Sequence, residues 1–285
     1  MGQQLVRGLW VCAAAAFWTG CADESSDDNP GEMVSGVLMG DVLVPGMPDG
    51  FAPGNEATEA GTGWIQKGPL LEGSQVTIRV LDAELTVVDT LETQVDRSDG
   101  RFHFRGVSDG PVQVEATGQW FDEAFGEVSD TPITLRGFAR ADRPVYVNVF
   151  THLAHDLAVA HVEAGADIQS AMQPSELWVH EALDLAPPSL DVSAWLGEFH
   201  LDHETPRVAA YTIWASAVVV EAAEDGSVSE WLDTLAIDLA EDHAISKGNR
   251  LRLDQAAERL EPDVVQTGVE AWFDAHTRPL TAPAQ

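Results

Sequence analysis

The hydrophobic period of this chain changes once, near residue 150, and that change restricts it to strands first and helices after. Ahead of the change, apolar residues alternate with polar ones: Val76, Ile78 and Val80; Phe102 and Phe104; Val112, Val114 and Ala116; Val145, Val147 and Val149. Alternation sends every second side chain to one face, so these runs predict half-buried strands. Between them stand Ser98-Asp99-Gly100, Ser108-Asp109-Gly110-Pro111, Phe125-Gly126-Glu127 and Asp142-Arg143-Pro144. Glycine supplies positive φ, Asp and Ser bond their own backbone, and proline fixes φ, so each cluster predicts a turn. Turns at these intervals suit a β-sandwich of about seven strands over residues 63–150.

From Thr151 to residue 278 the apolar spacing is helical. Thr151 is expected to cap a helix with Leu153, Leu157 and Val162 on one stripe, ending near Gly165. Pro174-Ser175 opens a second helix carrying Leu177, Trp178, Ala182 and Leu183, and Pro187-Pro188 closes it. Thr205-Pro206 places a cap and an N1 proline before residues 208–220, which are apolar nearly all round and therefore predict a central core helix. Ser227-Val228-Ser229-Glu230 reads as a capping box, followed by Trp231, Leu235 and Leu239 and stopped by Lys247-Gly248. One or two helices over residues 254–276 complete the set, and residues 279–285 form a disordered tail. The fold class expected is α+β, a sandwich followed by an irregular α-helical domain.

The N-terminal residues carry an address. Arg7 is followed by an apolar run over residues 9–18, too short to span a bilayer and suited to a signal, which ends in Trp18-Thr19-Gly20-Cys21. This segment, residues 1–21, resembles the lipobox signal of bacterial lipoproteins. The resemblance implies cleavage before Cys21 and acyl chains on its sulfur; Cys12, after bulky Val11, is a poor competitor. Residues 22–62 open with Asp23, Glu24, Asp27 and Asp28 and scatter Pro30, Pro45, Pro48 and Pro53 among glycines, which reads as an acidic tether. Apolar snippets within residues 33–47 leave open an added edge strand.

Charge and cysteine content narrow the classes further. Removing residues 1–21 takes away one of 15 basic side chains and none of the 47 acids. Such a field repels phosphate backbones and anionic lipid headgroups, so nucleic acid is excluded as a partner and membrane attachment rests on acyl chains at Cys21. The two cysteines, Cys12 and Cys21, both belong to the signal, so the exported fold has no disulfide and relies on packing. Seven of the nine histidines lie between Arg143 and Lys247, where Arg207 is the only base. A solvated acidic face explains this stretch, and a divalent-cation attractor is the alternative.

Within the strand region, Gly73-Ser74-Gln75-Val76-Thr77-Ile78, Thr93, Asp96, Asp99-Gly100-Arg101-Phe102 and Val112-Gln113-Val114 resemble the transthyretin-like (carboxypeptidase regulatory-like) sandwich domains of bacterial surface proteins. The resemblance implies an antiparallel, Ig-like sandwich in which the Asp-Gly-x-Phe turn closes a hairpin and its Phe enters the core. Lys67-Gly68-Pro69, Gly118-Gln119-Trp120-Phe121-Asp122-Glu123, Gly126-Glu127-Val128-Ser129 and Val147-Asn148-Val149-Phe150-Thr151-His152-Leu153 are similar to a recurrent set in bacterial envelope lipoproteins without an assigned activity. No functional residue comes with that likeness.

No catalytic constellation is legible. There is no Gly-x-Ser-x-Gly elbow, the one cysteine left after processing is the lipidated Cys21, and no phosphate-cradling glycine motif accompanies Lys67 or Lys247, the only lysines. His152 and His155 stand three apart, as do His200 and His203 before Glu204, but no His-Glu-x-x-His joins them, so no dedicated metal site and no cofactor are expected. Asp96-Arg97-Ser98-Asp99-Gly100 lacks the alternate carboxylates of a calcium loop and reads as a turn. Trp120 and Phe121 before Asp122-Glu123 are weak recognition candidates, aromatics with carboxylates for stacking on a glycan, against which a Trp in a strand of a disulfide-free sandwich is usually core. The expected function is a lipid-anchored protein of the bacterial envelope, on the outer membrane, acting as a non-catalytic binding or assembly module for an envelope protein or glycan. The alternatives are a divalent-metal-binding lipoprotein and a hydrolase with a carboxylate pair between the two domains.

Overall fold

The structure, a computed structural model, describes residues 61–107, 110–122, 126–186, 188–199, 205–223, 226–261, 264–265 and 267. Cys21 and the signal, residues 33–47 of the tether, Glu123, His200, His203 and the tail at 279–285 lie outside the described residues.

The fold is mixed α+β. Its strands are β1 (Gly61–Gln66), β2 (Gln75–Leu81), β3 (Val87–Gln94), β4 (Arg101–Phe104), β5 (Pro111–Gly118), β6 (Phe121–Asp122), β7 (Glu127–Val128), β8 (Ile133–Arg140) and β9 (Val145–Asn148). One sheet has the order β4-β1-β9 and a second the order β3-β2-β5-β8, while β6 and β7 form a separate small hairpin. The alternating residues meet as predicted: Val76, Ile78, Val112 and Val114 from one sheet share a buried core with Ile65, Phe102, Val145 and Val147 from the other. Two expectations are corrected here. The first strand starts at Gly61, inside the stretch read as tether. The pairing is also not wholly antiparallel, because β9 crosses from beside β8 into the other sheet and runs parallel to β1, setting Asn148 opposite Gln66.

That register fixes where the helices begin. Val149 does not extend β9; it opens α1 (Val149–Glu163), and the cap is Asn148, not Thr151. The Asn148 side chain accepts from the Thr151 N–H at 3.0 Å while its own N–H donates to the Thr151 hydroxyl at 2.9 Å. Thr151 thus fills the third-position role usual for Glu in a capping box. Helix α2 (Ile168–Leu183) starts at Asp167 and contains Pro174, so the proline does not open it. The Ser175 hydroxyl donates to Ala171 O at 2.7 Å, adding a donor in the turn the proline disturbs. The buried face is Ala171, Ser175, Val179 and Leu183, while Trp178 is 42% exposed. The helix stops at Asp184, which has a left-handed φ of 47°.

Helix α3 (Pro206–Glu221) is buried along nearly its whole length, as its all-round apolar sequence requires. Helix α4 (Val228–Asp242) starts at Ser227, whose hydroxyl accepts from the Glu230 N–H, and buries Trp231, Leu235 and Leu239. It ends at left-handed His243, and Lys247-Gly248 does not stop it but begins α5 (Lys247–Arg259) after the cap Ser246. A single apolar cluster runs from the sheets through α1 to α5.

Helix α5 accounts for part of the charge asymmetry. Arg250 donates to the carbonyls of Ala182 and Leu183 at the end of α2, and Arg252 donates to Ala222 O at 2.7 Å at the end of α3. Helix C-termini carry partial negative charge and unpaired carbonyls, so guanidinium groups suit both needs. The Arg252 guanidinium also lies 4.0 Å from the Trp231 ring centroid. Arg252→Met keeps the apolar stem but removes the charged donor and the ring contact. It is expected to lower stability by about 2 kcal/mol, read as a shifted denaturant midpoint.

Candidate functional site

The recognition candidates sit where the β6–β7 hairpin meets the helices, and the structure places Trp120 in the core. Trp120 is 4% exposed and Asp122 7%, while Phe121 is half-buried. Trp120 is held on both sides: its N–H donates to the Ser129 hydroxyl at 3.1 Å, and its carbonyl accepts from the Ser129 N–H at 2.8 Å. Its ring receives the Lys67 ammonium 4.1 Å from the centroid, and Lys67 is itself 1% exposed. A cation over an indole in a dry setting is worth more than at the surface, which explains why this aromatic faces inward. Trp120 is therefore not presented as a stacking surface, in keeping with the core reading of a Trp in this sandwich.

A hollow of about 320 Å³ adjoins them, between the hairpin and the junction of α3 with α4. Its carboxylates are Asp122, Glu127, Asp130 and Glu221, with Ser129 and Thr131 between them. Arg259 neutralises part of this charge by donating to Glu221 at 2.8 Å. The remaining field favours a cationic or hydroxyl-rich ligand and disfavours an anionic one.

The second polar assembly joins sheet to helices. Arg136 on β8 reaches Asp233 of α4 at 3.1 Å and Asp156 of α1 at 3.7 Å. His155 stacks on Phe138 with centroids 4.6 Å apart and uses both ring nitrogens, one toward Asp156 at 2.7 Å and one toward Gln113 at 2.6 Å. The hydrogen bond from His155 holds the Asp156 carboxyl below the ordinary carboxylate range. His152 is 1% exposed, and its Nε2 lies 3.6 Å from Asp233. That separation is an electrostatic contact and not a hydrogen bond. Burial is the larger influence and pushes the imidazole below its usual value, while the neighbouring imidazole pulls the Asp233 carboxyl down. His152 and His155 are thus committed to packing and to separate partners; spacing placed them on one helix but did not join them at one ligand. Among the described residues, no three or more His, Cys, Asp or Glu gather as a metal-ligand set.

Asp96 and Asp99 are also engaged within their hairpin. Asp96 contacts His103 at 2.5 Å, and Asp99 accepts from the Arg101 N–H at 3.1 Å, in keeping with a turn. A buried Tyr–His–Glu arrangement was invisible to sequence spacing. His180 Nδ1 lies 2.8 Å from the Tyr211 hydroxyl, and Glu176 stands 3.9 Å from His180 Nε2 while accepting from the Gly197 N–H at 2.9 Å. Phe150 and Phe199 close the cluster. Burial pushes the Tyr211 hydroxyl far up, so it stays protonated, and with all three side chains under 10% exposed the arrangement latches the 197–199 segment rather than meeting a substrate. No family model, no curated protein and no solved structure matches this chain.

Proposed function

We propose that this chain is a lipid-anchored protein of the bacterial envelope, held at the outer membrane through Cys21, whose body is a non-catalytic binding or assembly module. The observation that carries the reading is the short signal ending in Trp18-Thr19-Gly20-Cys21 on a chain this acidic. Among the described residues no helix is long and apolar enough to cross a membrane, and acyl chains on Cys21 are the attachment proposed. The body is read as transthyretin-like because two sheets share one core and Phe102, after the Asp99-Gly100 turn, is fully buried in it. The acid-walled hollow beside Asp122 supports a hydroxyl-rich ligand such as a glycan, or a basic segment of an envelope protein.

Cys21→Ser is expected to release the protein from washed membranes into the soluble envelope fraction, because acyl chains contribute about 0.8 kcal/mol per buried methylene and the proposed anchor rests on them. Fractionation of wild type and variant checks this. Retention of the variant in membranes washed at high salt would overturn the lipoprotein reading.

A further inference from the structure

The geometry points to a two-histidine site for a divalent transition metal, formed by His161 and His243 where the ends of α1 and α4 meet. His161 stands in the last turn of α1 and His243 is the left-handed residue that ends α4. Their ring centroids are 5.6 Å apart. Two imidazoles bound tetrahedrally through one nitrogen each, at about 2.0–2.1 Å, place their centroids about 5.2 Å apart. The observed separation needs only a small adjustment to reach that value.

A neighbouring residue also sets the imidazole's tautomer. His161 Nδ1 lies 3.4 Å from the Ser175 hydroxyl, which already donates its hydrogen to Ala171 O at 2.7 Å. The hydroxyl therefore meets His161 as an acceptor, Nδ1 carries the proton, and Nε2 keeps the lone pair a metal requires. Both histidines stand at helix C-termini, whose partial negative charge favours a cation. His161 is half-buried and His243 exposed, so solvent has access to complete the coordination shell with water. Trp178 lies edge-on to His243, 5.8 Å away, and provides an optical reporter. The pair comes from distant parts of the chain, which is why the spacings at His152/His155 and His200/His203 did not reveal it.

Calorimetric titration of the full chain with zinc at physiological salt is the test, together with copper(II) quenching of tryptophan fluorescence. One equivalent is expected to bind, copper more tightly than zinc. His161→Gln and His243→Asn are each expected to weaken binding at least about tenfold, and Ser175→Ala by about tenfold. Asn is chosen at 243 because it tolerates the left-handed backbone. Trp178→Phe should remove most of the copper quenching without changing the calorimetric isotherm. His152→Ala, and His200→Ala with His203→Ala, should leave binding unchanged. Absence of saturable binding at physiological salt overturns the site, as does binding that persists in His161→Gln. Loss of binding in the His200/His203 variant while His161→Gln retains it would move the metal elsewhere. The titration makes no use of the anchor, so its failure is separable from that of the membrane-fractionation test.

Discussion

Gly100→Val is expected to lower stability by about 2–5 kcal/mol, the sum of two costs at one position. The first is backbone strain: Gly100 has φ +79°, and a β-branched residue resists that region by about 1–2 kcal/mol. The second is a collision. A Cβ at this position would stand 2.4 Å from Ile65 O and 3.2 Å from Pro69 Cβ, while the Ile65 N–H donates to Gly100 O at 2.9 Å and holds the two segments together. The turn cannot move away without breaking that bond, so overpacking adds about 1–3 kcal/mol. Gly106 separates the two costs, because its φ is +83° but nothing lies within 4 Å of its Cβ position. Gly106→Val should therefore show the strain alone. Urea midpoints of both variants measure the difference, and equal shifts would mean that β1 does not press on the turn. A loss of this size is a large share of the roughly 5–15 kcal/mol available to a folded domain.

The Gly100 turn illustrates what sequence can and cannot supply. Asp99-Gly100-Arg101-Phe102 announces a left-handed glycine and an inward Phe from local chemistry, and both are present. The carbonyl of Ile65 above that glycine is a tertiary fact with no local trace. The same division holds along the chain. Val76, Ile78 and Val80 were legible because a strand's burial repeats every two residues, and the 208–220 helix because it has no polar face. The start of α1 was misplaced by three residues because Asn148 and Thr151 can both cap, and only the seating of Asn148 against Phe199 O at 2.6 Å decides between them. Pro174 lies within a helix because Asp167 had already capped it about two turns earlier. Trp120 could be read from sequence as core or as a recognition aromatic, and Lys67, which arrives from another loop, is what seats it in the core. Polar clusters joining β8, α1, α2 and α4 bring together residues far apart in sequence, and periodicity does not encode such meetings.

His152 gives the sheet–helix seam a predictable acid sensitivity. The imidazole is buried under Arg136, Asp233 and neighbouring His155, and burial lowers its affinity for a proton relative to the unfolded chain. The unfolded state therefore binds more protons than the folded state once pH falls below the ordinary histidine value near 6.5, and stability declines from there downward. The steepest contribution of one such group is about 1.4 kcal/mol per pH unit. Asp156 and Asp233 act in the same direction but later, since their depressed carboxyls lose stability only as pH falls below the ordinary value of 3.8. His152→Leu separates the two windows. Neither ring nitrogen of His152 has a hydrogen-bond partner, so an apolar replacement of similar size should change stability little at pH 7. Below pH 6.5 the variant's denaturant midpoint should fall less than the wild type's, and the gap should persist where the carboxylates titrate, because removing the imidazole also relieves the pull that lowers the Asp233 carboxyl. Parallel profiles from pH 7 to 5 would mean that His152 is hydrated in solution and that the seam between β8, α1 and α4 is looser than its burial indicates.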